Sequence, residues 1–142
     1  MQININIPGK PIAQPRHQIS KFGGRYLKKT SKGLPHPVIA YKEKIRIALE
    51  KEYKGNIINL PFIVKIYFYM EIPKSFKFKT DETIEYHIKK PDIDNLTKAV
   101  LDAIKNVWHD DSQIAILEIC KSYDKNQPEG STNIYIESGE QL

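Results

Sequence analysis

The chain opens on alternation: Ile3, Ile5 and Ile7 are separated by Asn4 and Asn6, the period of a half-buried strand, which Pro8 and Gly9 stop. After Pro37 the period changes. In VIAYKEKIRIALEKEY, residues Tyr41, Ile45, Ala48, Leu49 and Tyr53 recur at helical spacing with charges on the other face, which predicts a helix of about four turns ended by Gly55. PFIVKIYFYMEIP is β-branched and aromatic and predicts a central strand with Phe62, Val64, Ile66, Phe68 and Met70 on one face. KSFKFKTDETIEYHI predicts a short helix or turn followed by an extended run, since Ile84, Tyr86 and Ile88 alternate with Glu85, His87 and Lys89. The strongest periodicity joins Leu96, Ala99, Val100, Ala103, Ile104 and Val107 into an amphipathic helix that Asp94 or Asn95 can cap. QIAILEIC and STNIYIE predict two more strands, and the turn-rich DKNQPEG between them predicts a hairpin.

Strand, long loop, helix, strand, strand, helix, strand, strand is the order of an α+β protein. It predicts two helices packed on one face of a mixed β-sheet, a two-layer sandwich, as a single domain over residues 1–142. The loop at about 9–37 breaks the pattern. It carries Pro11, Pro15, Gly23, Gly24, Gly33 and Pro35 interleaved with Lys10, Arg16, Lys21, Arg25, Lys28, Lys29 and Lys32. Such a length without structure is unusual in a small domain, so the segment pairs as a hairpin through KFGGRYL, serves a function, or both.

Charge sharpens that reading. The net charge is +5, yet from Met1 to Lys42 there are eight Lys or Arg residues and no Asp or Glu, so the remainder is net negative. A basic arm of this kind suits a polyanion, and a solvated loop is the plainer alternative. No apolar run reaches the roughly 18 residues of a membrane span, and the opening residues do not form a secretory signal, which predicts a cytoplasmic protein. One cysteine, Cys120, excludes a disulfide framework or a cysteine-rich zinc site and is expected to be a buried packing residue.

Against this basic background, acidic residues crowd both ends of the second helix. Asp92 and Asp94 precede it, and Asp110 and Asp111 follow it. If the chain stays extended after Pro91, Asp92 and Asp94 point to one side, and two carboxylates in a small volume call for a cation such as Mg²⁺. Helix capping is the simpler alternative for that pair. It does not serve for Asp110 and Asp111, because a helix C-terminus disfavours negative charge; they form a solvated turn or complete a three-carboxylate site. Lys98 lies one turn from both Asp94 and Asp102, either in a salt-bridge ladder or beside a reacting phosphate. His87 and His109 lack a second histidine at ligand spacing and are read as surface or packing residues, and Trp108 as a core anchor.

KPDIDNLTKAVLDAI followed by DDSQI resembles the signature of the RusA-like crossover junction endodeoxyribonucleases, small bacterial and phage-associated enzymes that resolve Holliday junctions. IPGKPIAQPR is similar to that family's opening strand and basic loop. The resemblance implies that Asp92, Asp94 and Asp111 bind Mg²⁺, with Mn²⁺ as a substitute, that Asp110 competes for the third place, and that Lys98 assists catalysis. It implies a homodimer that makes paired symmetric nicks in a four-way DNA junction during recombination and repair. Pro91 stands where some relatives carry a basic residue, a charge that Lys89 or Lys90 supplies here. With Lys10, Arg16, Lys21, Arg25, Lys28, Lys29 and Lys32, these two lysines form the expected DNA-binding set. A non-catalytic junction-binding module and a Mg²⁺-dependent enzyme acting on small phosphate esters are the competing readings.

Overall fold

The computed structural model describes residues 1–139 of the 142-residue chain. Its elements are β1 (Gln2–Pro8), β2 (Gln18–Ile19), β3 (Arg25–Tyr26), α1 (Pro37–Glu52), β4 (Phe62–Tyr69), β5 (Ile84–Tyr86), α2 (Ile93–Ile104), β6 (Ile114–Asp124) and β7 (Ser131–Ser138). Five strands form a mixed sheet in the order β1, β7, β4, β6, β5, and β2 pairs with β3 as a separate short hairpin across the Phe22-Gly23-Gly24 turn. Both helices pack against each other on one face of the sheet, α1 on β1 and α2 on β6. The α+β sandwich expected from the sequence is therefore the architecture observed.

Alternation builds the core. Ile3, Ile5 and Ile7 of β1 lie opposite Ile136, Ile134 and Thr132 of β7, while Phe62, Val64, Ile66 and Phe68 of β4 point to the same side, all buried. Val38, Tyr41, Ile45 and Leu49 from α1 and Leu96, Ala99, Val100, Ala103 and Ile104 from α2 close over them. Trp108, 5.0 Å from Phe62 ring to ring, anchors the turn after α2 as expected.

Three local expectations are corrected. β6 and β7 do not form a hairpin: β4 lies between them, parallel to β6 and antiparallel to β7. An almost wholly apolar β4 gains most from pairing on both edges, and the connection from Lys125 to Gly130 is long enough to span the extra strand, about 10 Å from β6 to β7. It passes across the end of β4, where Ile72 N–H donates to Pro128 O (2.9 Å) and Gly9 N–H to Gly130 O (3.0 Å). Gly130 sits at φ +83°, and a Cβ there would fall 2.7 Å from Tyr69 O.

α1 ends at Glu52, before Gly55, with Tyr53 extended as its C-cap. The Tyr53 ring folds back over Gly55, where an added Cβ would meet the hydroxyl at 2.5 Å, so this glycine makes room for a ring and does not end the helix. Cys120 is half-buried on β6, not enclosed, because β5 covers only the far end of that strand, from Ser122 to Asp124.

Candidate active site

α2 starts two residues earlier than a cap at Asp94 would place it. Asp92 is its N-cap, and Asp94 lies in the first turn, so the chain does not stay extended between them. A turn containing the cis Lys90–Pro91 bond delivers the chain to Asp92. The Asp92 side chain makes no capping hydrogen bond. It accepts instead from Lys90 Nζ at 2.7 Å, and that hydrogen bond and charge, with Lys121 adding to them, hold its carboxyl below the ordinary carboxylate value. Asp92 and Asp94 are both exposed and line one open pocket of about 850 Å³, whose walls include Tyr86, Ile88, Ile119 and Lys121.

Lys98 and Asp111 come together elsewhere, in a second cavity of about 330 Å³ that Gln14, His17 and Leu101 also line. The four residues singled out by the sequence are thus held as two pairs along the outer face of α2. Among the described residues no three His, Cys, Asp or Glu side chains converge to hold a metal by themselves. The Asp94–Lys98–Asp102 ladder does not form, since Asp102 pairs with Lys42 (2.7 Å) and Lys105 (3.4 Å). Among the described residues Lys98 has no ion-pair partner, which leaves its ammonium available to a phosphate.

The second aspartate pair divides its duties. Asp110 N-caps a 3₁₀ turn over Asp111–Gln113 and accepts from Ser112 N–H, which holds its carboxyl low. Asp111 accepts from the buried Trp108 indole at 2.8 Å, which fixes one carboxylate oxygen beside the Lys98 cavity. Asp110 is a structural cap, and Asp111 is the one that faces Lys98.

Three residues were missed at the level of sequence. Gln113, within DDSQI, accepts from His109 and Asp110 N–H and donates to Ile58 and Leu60 carbonyls, clamping the turn that carries Asp111. Lys121 donates to Lys89 O (2.6 Å) and Pro91 O (2.7 Å), pinning the turn before Asp92 onto β6. Gln14 N–H donates to Asn95 O (2.9 Å) and so ties the basic loop to the first turn of α2. A lysine inside the apolar EICKSY was the one available signal for Lys121; Gln14 and Gln113 depend on contacts far apart in sequence.

Lys10, Arg16, Lys21, Arg25, Lys28, Lys29, Lys32, Lys89 and Lys90 are all exposed. His87 is a packing residue, edge-on to Tyr123 at 4.9 Å, and burial, with the charges of Lys121 and Lys89, pushes its pKa down. His109 is exposed.

The chain is 27% identical over 128 residues to the uncharacterized protein YqaN of Bacillus subtilis (strain 168), covering 85% of this chain and 87% of that one. The family model for Endodeoxyribonuclease RusA matches residues 8–137, which takes in the basic loop, both aspartate pairs and Lys98. A match from residue 8 to residue 137, nearly the whole of the chain, places it in the RusA endodeoxyribonuclease family.

Proposed function

We propose that this chain is a Mg²⁺-dependent endonuclease that resolves four-way DNA junctions by paired symmetric nicks, working in the cytoplasm as a homodimer. The observation that carries the reading is the Asp92 carboxylate: it occupies the N-cap position, declines the capping hydrogen bond and shares an open pocket with Asp94. Exposed carboxylate oxygens outside the helix cap, with Asp92 held only by the exposed Lys90, suit a hard cation that keeps several waters and takes the rest of its ligands from phosphate. Asp92 and Asp94 would hold it; Asp111, the third carboxylate expected from the sequence, lines the separate Lys98 cavity and does not join their pocket. The metal supplies Lewis-acid polarisation of the phosphodiester and a water of lowered pKa.

The chain's own residues do the rest. The Lys98 ammonium offsets negative charge that builds on the phosphoryl oxygens under attack. Lys89 and Lys90, beside the pocket mouth, grip flanking phosphates, Lys90 in exchange for its bond to Asp92. The basic loop and hairpin hold junction arms through backbone contacts that carry little sequence information. Two copies on a two-fold axis match two opposed strands of a junction.

Asp94→Asn separates this reading from a junction-binding module. The nuclease loses nicking by a factor of about a thousand or more while junction affinity in EDTA stays the same or improves, because a repulsive charge has gone. A binding module has no nicking to lose, and unchanged nicking by the variant removes Asp94 from the chemistry.

A further inference from the structure

We infer that a cavity beside the acidic pair receives an unstacked nucleobase of the DNA, next to the phosphate held at Asp92 and Asp94; this rests on the nuclease reading above. The cavity, of about 700 Å³, lies between the 76–82 segment and β5. Phe76 and Tyr123, 4.4 Å apart ring to ring, form an aromatic wall, and Lys79 stands at its edge. Tyr86, Ile88 and Lys89 line both this cavity and the pocket of Asp92 and Asp94, so the two spaces adjoin.

A second observation concerns the same residues. The run Ile84 to Ile88 inverts the usual order: Tyr86 is 75% and Ile88 84% exposed, whereas His87 between them is 8% exposed. A chain that buries an imidazole and displays the flanking apolar side chains places them where something other than water covers them. An aromatic and apolar slot adjoining a phosphate site, with Lys79 and Lys89 in its lining alongside Glu82 and Glu85, has the chemistry of a base-stacking subsite.

Base accessibility then links the slot to selectivity. In continuous duplex each base is stacked on both faces, and turning one out costs its stacking and pairing energy. At a branch point that stacking is already interrupted. The slot therefore favours nucleotides at the crossover over those in the arms, and the protein distinguishes junction from duplex partly by what Tyr86 and Ile88 touch.

The test is a single-turnover nicking cycle in Mg²⁺ with wild type and Tyr86→Ala, on an intact four-way junction and on junctions carrying an abasic residue in turn at each nucleotide flanking the mapped nick. Tyr86 is exposed, so the variant keeps the fold, and Ile88→Ala provides a second probe of the same slot. We expect Tyr86→Ala and one abasic position each to slow nicking about tenfold, the effect of removing one base–aromatic stack, and the combination to be no slower than either alone. Multiplying effects, no abasic effect at any flanking position, or a wild-type rate for both variants overturns the slot. So does sedimentation showing that Tyr86→Ala turns a dimer into a monomer, since the surface then belongs to a second copy. Absence of nicking by the wild type overturns the nuclease reading itself and the slot with it, an outcome distinct from the others.

Discussion

At the scale of single residues, the two aspartate pairs separate structure from chemistry. Asp110→Ala removes the cap on Ser112 and is expected to lower the urea-unfolding midpoint slightly while leaving nicking within a few-fold of wild type. Asp92→Asn, at an exposed carboxylate that caps nothing, should leave the unfolding midpoint nearly unchanged and abolish nicking. The reverse pattern would exchange their roles. His87 supplies a pH signature. Burial depresses its folded-state pKa below 6.5, so the unfolded chain binds more protons as the solution is acidified. Its contribution is complete above pH 6.5 and is lost as pH falls through the folded value; thermal scans from pH 7 to 5 should show a drop that His87→Phe makes shallower. Sequence showed which residues carry charge, but not which are committed. DIDN offers three possible caps, and only the position of the first α2 turn selects Asp92 and frees its carboxylate from the cap bond. Asp111 could not be told from Asp110 without the Trp108 indole and the 3₁₀ turn.

At the scale of elements, local periodicity was legible and strand partners were not. The isoleucines of β1, the apolar face of β4 and the stripe of α2 reach the core as their spacing dictates, because each signal lies within one segment. Which strand lies beside which depends on competition for β4, and a connection as short as Lys125 to Gly130 serves a hairpin or a bridge over one strand equally well. The bridge leaves a test at Gly130. A Gly130→Ala substitution forces a side chain into positive φ against Tyr69 O and should cost about 2 kcal/mol or more, read as a lower denaturant midpoint; an unchanged midpoint would contradict that close approach. Gln113 is the matching case around Asp111. Its amide satisfies two carbonyls and accepts from two N–H groups, so Gln113→Ala should cost roughly 2 kcal/mol and loosen the turn that places Asp111 beside Lys98.

At the scale of the whole molecule, charge divides the chain between a basic loop near its start and an acidic pair at the start of α2. The basic loop is anchored through Gln14 to Asn95 in the first turn of the helix that begins with the acidic pair, so on the proposed reading DNA held by the loop would be carried toward the carboxylates. Neutralising Lys21, Arg25, Lys28, Lys29 and Lys32 to Gln should weaken junction binding steeply at low salt and reduce the slope of log K against log salt by about one for each phosphate that is no longer neutralised. The rate of nicking at saturating protein should change far less. Whether the fold carries a junction-selective metal nuclease is decided by a gel assay of the purified wild-type chain on a labelled four-way junction beside matched linear duplex, in Mg²⁺ and in EDTA. Symmetric nicks confined to the junction and absent in EDTA are the predicted result. Tight junction binding with no cleavage in Mg²⁺ or Mn²⁺ would contradict it and leave a binding module on a nuclease fold.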